Sequence, residues 1–362
     1  MIACCAIQMM VLPLMYRTPF VTQSVTRTER LLVLLRCTGV AGEVAWSECS
    51  ALPTPDYCYE TTETAWWALD QYLIPALLAH PGFAHPAEVS PFLDQVMVGH
   101  PMAKAALEMA MWALFARQSP TSLAACLGTH RDAIPVTPVV GRGGIEAALD
   151  WLHAGYPLVK LKACPADIPL ILSAFASYQG RWALDANGGF DLHDMAQLQH
   201  SGVAYVEQPF PVGDWEPLTQ VDGVPVALDE SLQTVGDVVT CARWGAATLL
   251  NIKPARLGGL GPALAVWRRA QLLGLACFVG GMHESAIGRH MALHLASVVA
   301  DRSSDLMPSQ GIYEWDVAPS YSVDATFKAH LLPEMPVDET GIFHRITKEK
   351  SYHRRQDVLV SF

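Results

Sequence analysis

The sequence is short of charged residues, and of basic ones in particular. Charged residues make up 16% of the 362 residues, hydrophobic residues make up 51%, and the formal net charge is −11. A nucleic-acid-binding domain needs a basic face, so this class of function is excluded. The apolar share is large enough for an extensive core, and the length predicts two domains or one barrel with an attached unit.

Long hydrophobic runs and paired cysteine motifs are also missing. The chain has no stretch of about 18 uninterrupted apolar residues, so we expect no membrane-spanning helix. The nine cysteines include no CxxC pair, which fits a reducing cytosol better than a disulfide framework. Residues 1–15 are apolar, but they have no positive charge before Arg17 and include Pro13, so we interpret them as a first strand rather than a signal segment. We therefore expect a cytoplasmic protein.

The familiar nucleotide and zinc motifs are absent as well. The segment GRGGIEAAL at 141–149 follows a strand and opens a helix, but Glu146 breaks the GxGxxG spacing, so no nucleotide site is expected there. The histidines of HESAIGRH, His283 and His290, are seven residues apart, which does not suit the HExxH geometry. The one basic stretch, at 348–356, is interpreted as a solvated tail or the edge of a last strand.

The first third of the chain has the pattern of an α+β unit. Three strands are expected within 1–50 and helices at 60–80 and 102–118. The polar segment 16–29 is expected to form a loop that covers a site. Three strands followed by helices predict a separate α+β capping domain over 1–125.

The next two hundred residues have a different pattern, with short apolar runs that alternate with helical stretches. This alternation predicts parallel βα units, and seven to eight repeats of this length predict a (β/α) barrel, a modified TIM barrel, over 126–324. The segment 325–362 is expected to pack back on the capping domain. The runs are IPVTPVV, YPLVKLK, RWALDAN, VAYVEQP, VPVALDE, ATLLNIK and LACFVGG.

Charged residues end five consecutive strands of this predicted barrel. They are Lys162, Asp185, Glu207, Asp229 and Lys253, at intervals of 23, 22, 22 and 24 residues. The carboxyl ends of barrel strands meet at one mouth, so this spacing predicts a single cavity. A lone aspartate after a strand is more often a helix cap, and a lone lysine there usually extends to solvent. Five such residues, one βα unit apart, favour a functional site instead.

The chemistry of these side chains points to a metal centre between two bases. Three buried carboxylates would repel one another unless a cation joins them. Oxygen ligands without Cys or His favour Mg²⁺ or Mn²⁺. A metal that binds a substrate carboxylate stabilises an enediolate, while a lysine removes the adjacent α-proton. We therefore expect a small-molecule carboxylate as the substrate.

The motifs KLK, DAN, EQP, DES and NIKP, in this order, resemble the muconate-lactonizing subgroup of the enolase superfamily. NIKPARLGGL, GGMHESAIGR, AKAALEMAMWAL and TPFVTQSVTRTERLLVLL are similar to o-succinylbenzoate synthases and their N-succinylamino-acid racemase relatives. The resemblance covers about residues 5–330. It also implies a homo-oligomer.

The resemblance assigns a role to each matching residue. Asp185, Glu207 and Asp229 match the metal ligands, and Lys162 and Lys253 match catalytic lysines on opposite faces of the substrate. The remaining matches are expected to bind substrate or to support the ligands and lysines. These are Lys160, Asn187, Glu230, Arg256, Glu284 and Ser285, and His283 is a further candidate for this group although it does not match the family residue.

Three features depart from the family pattern. His283 stands where relatives usually have an apolar residue, and its simplest interpretation is a wall of the pocket. Val139 stands where relatives often have a serine, which removes one hydrogen bond to substrate. The capping segment near 18–26 lacks the glycine that is common in relatives.

The implied reaction is dehydration of 2-succinyl-6-hydroxy-2,4-cyclohexadiene-1-carboxylate, a step of menaquinone biosynthesis. Racemisation of N-succinyl amino acids is the main alternative, alone or as a second activity. Dipeptide epimerase and muconate cycloisomerase are further alternatives. A non-catalytic barrel scaffold is a different class of answer, but no ligand or base position has been lost.

Overall fold

The computed structural model describes residues 1–21, 25–332 and 335–354, and its elements follow the predicted order. The strands are β1 (Cys4–Val21), β2 (Thr26–Gly39), β3 (Val44–Cys49), β4 (Ala133–Pro135), β5 (Val139–Val140), β6 (Val159–Lys162), β7 (Trp182–Asp185), β8 (Val206–Glu207), β9 (Val226–Leu228), β10 (Leu249–Ile252), β11 (Ala276–Val279), β12 (Lys328–His330) and β13 (Lys348–His353). The α-helices are α1 (Thr62–Ala68), α2 (Ile74–Ala79), α3 (Val89–Val96), α4 (Pro101–Gln118), α5 (Leu123–Leu127), α6 (Ile145–His153), α7 (Ile168–Phe175), α8 (Leu192–Gln197), α9 (Val235–Trp244), α10 (Pro254–Leu257), α11 (Leu260–Leu272), α12 (Ala286–Val299) and α13 (Glu339–Phe343).

An antiparallel sheet with the strand order β13-β1-β2-β3 forms the cap. The apolar start of the chain is the first strand, as predicted. The predicted loop over 16–29 is wrong for most of its length, because β1 continues to Val21 and β2 begins at Thr26. Phe20 pairs with Arg27 there, and aromatic and β-branched residues favour extended pairing even where the alternating residues are polar and exposed. Residues 22–24 of the expected capping segment lie outside the described residues.

The cap helices pack on this sheet and on the barrel. A single π-helical turn, Leu69–Leu73, joins α1 to α2, so the predicted helix over 60–80 is continuous. Helix α4 is buried on nearly all sides because its Ala, Leu and Met residues contact both β3 and the α10–α11 region. Such an all-round apolar helix belongs in the interior, here between cap and barrel.

Seven parallel strands form the barrel sheet in the order β5 to β11, and a helix follows most of them. Residues 304–305 complete the circle. Asp305 N donates to Val279 O of β11 at 2.9 Å, and Thr137 N donates to Ser304 O at 2.8 Å. This short segment therefore takes the eighth position, which confirms the predicted (β/α) barrel with an α+β cap.

The last described residues return to the cap. Strand β13 pairs with β1 along Val11 to Ala6, at the outer edge of the cap sheet. The basic stretch that begins at Lys348 is thus an edge strand, where charged residues discourage further pairing, and residues 355–356 lie outside the described residues. No helix in the described ranges is long and apolar enough to cross a membrane.

Candidate active site

A cavity of about 570 Å³ lies at the carboxyl ends of the barrel strands, under the cap. The cap contributes Phe20, Arg27, Leu52, Asp56 and Tyr57 to its wall. The barrel contributes polar residues from its strand ends, namely Lys160, Lys162, Asp185, Asn187, Glu207, Gln208, Glu230, Lys253 and Asp305. Cap and barrel therefore build the cavity together.

Lys162 stands at the end of β6, next to the end of β7. Its Nζ donates to Asp185 Oδ2 at 2.8 Å and to Asn187 Oδ1 at 2.8 Å. The Asn187 amide in turn donates to Glu230 Oε1 at 3.0 Å. Asn187 has a φ of 44°, a conformation that asparagine tolerates well, and this turn aims its side chain back into the cavity.

Lys253 stands just after β10, on the other side of the carboxylates. Its Nζ donates to Asp229 Oδ2 at 2.8 Å and lies 5.3 Å from the centre of the Tyr57 ring. Arg256 contacts Asp229 Oδ1 and donates to the Tyr57 hydroxyl at 2.8 Å. Burial raises the pKa of Asp229, but Arg256 and Lys253 outweigh this effect and hold the pKa well below its usual range.

Lys160 lies deeper, on the same face of β6 as Lys162. Its Nζ donates to Glu207 Oε2 at 2.6 Å and also contacts Asp305 Oδ2. Burial would lower the pKa of Lys160, but Asp305 and Glu207 raise it well above its usual value, so this lysine stays charged. Asn251 donates to the other Glu207 oxygen at 2.9 Å. The first lysine of the KLK motif therefore bridges two carboxylates.

The cluster at the strand ends has one carboxylate more than the cations that contact it. The carboxylates are Asp185, Glu207, Asp229, Glu230 and Asp305, and the cations are Lys160, Lys162, Lys253 and Arg256. Burial, together with the charges of Asp185 and Asp229, raises the pKa of Glu207 to about 8 against the effect of Lys160. Burial, Asp229 and Asp185 raise the pKa of Glu230 to about 7, and its buried Oε2 has no hydrogen-bond partner among the residues that the structure describes. The cluster at the strand ends thus has an excess of negative charge.

The three predicted metal ligands fit a divalent cation by their chemistry and placement. Asp185 pairs with Glu207 across β7 and β8, and Asp229 follows the next strand, β9, so three hard oxygen donors stand on adjacent strand ends. Each is paired with a cationic side chain in this structure. No three His, Cys, Asp or Glu side chains among the described residues converge on one point.

The structure brings most of the predicted residues together, and four of them lie behind the cavity wall. Lys160, Lys162, Asp185, Asn187, Glu207, Glu230, Lys253 and His283 line the cavity, and Asp229 and Arg256 contact residues that do. Glu284 instead accepts a hydrogen bond from the backbone of Met282 at 2.6 Å. Ser285 caps α12 and contacts Glu48 of the cap. Ser285 thus holds the junction of cap and barrel, and Glu284 holds the turn after β11.

Three contributors to the site were not predicted from the sequence. Asn251 shares a face of β10 with Lys253, so the i to i+2 rule would have found it. Asp305 lies at the eighth barrel position, and counting one more βα repeat along the sequence after β11 would have located it. Tyr57 comes from an irregular cap segment after β3, and no periodicity in the sequence indicates which barrel strand it meets.

Sequence models of two protein domains match this chain. Residues 6–128 match the "Mandelate racemase / muconate lactonizing enzyme, N-terminal domain", and residues 145–344 match the "Enolase C-terminal domain-like" family. The chain belongs to the enolase superfamily. Members of this superfamily generally use a divalent metal, usually Mg²⁺.

Similar proteins have several related activities. An o-succinylbenzoate synthase from Enterococcus faecalis is 34% identical over 78% of this chain and 80% of its own length. An N-succinylamino acid racemase from an Amycolatopsis species is 36% identical over 78% of this chain and 79% of its own. Muconate cycloisomerase 1 of Rhodococcus opacus is 29% identical over 78% and 80%.

Solved structures have the same architecture. A member of the enolase superfamily from Enterococcus faecalis V583 superimposes with a TM-score of 0.86 at 28% identity, over 97% of this chain and 99% of its own. A second member, from Listeria innocua, gives a TM-score of 0.89 over 98% of this chain and 100% of its own, and at 23% identity it supports the fold alone.

Proposed function

We propose that the protein is an o-succinylbenzoate synthase, which dehydrates 2-succinyl-6-hydroxy-2,4-cyclohexadiene-1-carboxylate. The observation behind this proposal is the placement of Lys162 and Lys253. They stand at the ends of β6 and β10, four positions apart in an eight-position barrel, and both line one cavity. Two lysines that face each other across a carboxylate cluster suit proton transfer at a carbon next to a carboxylate.

Lys162 is the base in this proposal. It removes the α-proton of the substrate carboxylate and then, as an ammonium, protonates the hydroxide that leaves as water. Asp185 and Asn187 hold its Nζ at 2.8 Å each, so the amine is oriented before substrate binds. Asn187 is itself held by Glu230, which restricts the choice of rotamers.

Lys253 faces the opposite side of the planar enediolate and stabilises its negative charge as an ammonium. Burial would lower the pKa of Lys253, but Asp229 and Tyr57 raise it above its usual value, so the group is charged in this state. Arg256 and Tyr57 fix the position of Asp229 and the ammonium. This electrostatic role needs no proton transfer.

Asp185, Glu207 and Asp229 would hold Mg²⁺, or alternatively Mn²⁺, and the ion would bind the substrate carboxylate and stabilise the charge that develops on it. The excess negative charge around Glu207 and Glu230 supports this assignment.

Racemisation of N-succinyl amino acids is a second candidate, and the same lysine pair favours it. If Lys253 gives up its proton, the two lysines exchange protons on opposite faces of one carbon. The similarity to the Amycolatopsis racemase, at 36% identity, supports the same candidate. One protein with both activities is consistent with this site.

The test is a pair of assays on the purified protein with Mg²⁺. Dehydration of the cyclohexadiene carboxylate is followed by the absorbance of the aromatic product, and racemisation of N-succinyl amino acids is followed by optical rotation. We expect dehydration, with or without racemisation. Absence of dehydration at enzyme concentrations that racemise N-succinyl substrates would leave racemase as the function. Absence of both would refute the proposal.

A further inference from the structure

His283 lies between cap and barrel, and contacts from both hold its backbone in place. It follows β11 and has a φ of 57°, in the left-handed region that few residues other than glycine adopt. Its backbone oxygen accepts a hydrogen bond from the Tyr313 hydroxyl and another from the fully buried Arg30 of β2. Arg30 also pairs with Glu48, whose carboxylate binds the first turn of α12. Cap and barrel together therefore fix this residue.

The His283 ring lies against the cap and lines the cavity. Its centre is 4.1 Å from the centre of the Phe20 ring and 5.8 Å from that of Tyr16, both with edge-on geometry. Phe20, His283 and Arg289 line the same cavity as the two lysines. Aromatic side chains thus pack against one side of the ring, and the other side faces the substrate space.

The two ring nitrogens have different surroundings. Nδ1 is buried and has no hydrogen-bond partner among the described residues. A buried N–H without an acceptor is costly, so the proton of a neutral ring belongs on Nε2. Nothing among the described residues hydrogen-bonds Nε2, so it is a free donor at the cavity wall.

The charges that act most strongly on the His283 ring are positive. Burial, followed by the charges of Arg289 and Lys162, lowers the pKa of His283 well below its usual value. Arg30 and Lys253 act in the same direction. A neutral N–H donor among cations suits an anionic oxygen acceptor better than a cationic or apolar group.

We propose that His283 determines substrate specificity by donating its Nε2–H to the terminal carboxylate of a succinyl group. This inference deepens the proposed function and rests on it, because a succinyl substrate has such a carboxylate at the end remote from the reacting carbon. His283 is here a binding residue and takes no proton from the substrate.

The experiment compares the affinity of two ligands by calorimetry in the presence of Mg²⁺. N-succinyl phenylalanine has the terminal carboxylate, and N-butanoyl phenylalanine keeps the amide and the chain length without it. The variants are His283→Leu, which removes the donor, and His283→Gln, which keeps an amide donor at similar reach. His200→Leu is the matched control, because His200 also has a φ of 57° but is exposed and lies outside the cavity.

We expect wild type to prefer the succinyl ligand and His283→Leu to lose about 10- to 100-fold of this preference, the range for a hydrogen bond to a charged group. His283→Gln should retain a clear preference, and His200→Leu should match wild type. Equal losses for both ligands, or an unchanged preference, would overturn the proposal.

Measurements of binding and of turnover distinguish a failure of the proposed function from a failure of the proposed role of His283. If the wild type binds the succinyl ligand selectively and His283→Leu loses this preference, but the wild type neither dehydrates nor racemises, the proposed function fails and the role of His283 stands. If the wild type turns over succinyl substrates and His283→Leu keeps full preference, the function stands and the role of His283 fails. Wild type that binds neither ligand would refute the role of His283 as well.

Discussion

The cavity and the junction between cap and barrel both bury carboxylates, but they satisfy them in different ways. At the junction, Glu108 of α4 accepts hydrogen bonds from the backbone N–H groups of Leu260 and Gly261, each at 2.8 Å. Glu60 accepts two from the start of α4, also at 2.8 Å. These acceptors bind fixed backbone donors at helix starts, where negative charge is favourable.

In the cavity, the carboxylates contact the ends of flexible cationic side chains instead. Lys162 and Lys253 can move away from Asp185 and Asp229, whereas a backbone N–H cannot leave Glu108. The buried Glu230 Oε2 and Asp305 Oδ1 have no hydrogen-bond partner within the described part of the chain. Carboxylates that accept hydrogen bonds from backbone N–H groups therefore hold the fold, and carboxylates that contact lysine side chains are available for a ligand. Four predictions test this difference.

The largest effect is expected at the proposed base. Lys162→Ala should lower the kcat of dehydration by about 10³-fold, the usual contribution of a general base. Thermal melting should change little, because the lysine end lies in an open cavity. Steady-state kinetics and a melting curve check both points. Turnover within a few-fold of wild type would remove Lys162 from the mechanism.

The next effect concerns stability, at the junction. Glu108→Ala leaves two backbone donors and the Trp112 indole N–H without acceptors, so we expect the free energy of unfolding to fall by about 3 kcal/mol. Denaturant unfolding measures this change. Glu146→Ala, at an exposed site on α6, is the control and should be neutral. A Glu108→Ala protein as stable as this control would contradict the structural role of the junction carboxylates.

The third prediction compares metal binding after one carboxylate is changed in each region. Asp229→Asn should weaken Mn²⁺ binding at least about 10-fold, since it removes a charged ligand, and Glu108→Gln should leave Mn²⁺ affinity unchanged. Electron paramagnetic resonance of free Mn²⁺ gives the affinity without any activity assay. Equal affinities for Asp229→Asn and wild type would place the metal elsewhere.

The smallest effect is a pH dependence. Burial raises the pKa of Glu108 from 4.5 to about 7, against its three hydrogen bonds. The folded chain therefore keeps a proton that the unfolded chain has released, and the stability from this group falls as the pH rises from about 4.5 to 7. Glu108→Gln should narrow the difference in melting temperature between pH 5 and pH 8 by about 3 °C. An unchanged difference would mean that Glu108 is ionised throughout.

The barrel was predictable because most of its strands are short buried runs, and a charged residue ends or follows five of them. The same regularity located Lys162, Asp185, Glu207, Asp229 and Lys253. The partners of these residues were harder to predict, because side-chain contacts between distant segments leave no period in the sequence. Tyr57 is an example, since it reaches Arg256 across 199 positions of the chain.

The cap was less predictable than the barrel for a different reason. The hairpin of β1 and β2 extends through polar residues that look like a loop, since one face of an antiparallel pair can be exposed. Glu284 and Ser285 were assigned to the site from their motif alone. Their side chains turn toward the backbone of Met282 and toward Glu48, a choice that depends on where the cap docks.

The central claim is that Lys162 and Lys253 act on one carbon from opposite faces. Exchange of the α-proton of each enantiomer of an N-succinyl amino acid in D₂O, followed by proton NMR, tests it most directly. We predict that wild type exchanges at least the enantiomer whose α-proton faces Lys162, and that Lys162→Ala loses this exchange. Where wild type also exchanges the other enantiomer, Lys253→Ala loses that exchange. Variants that both retain exchange of both enantiomers at the wild-type rate would contradict the account.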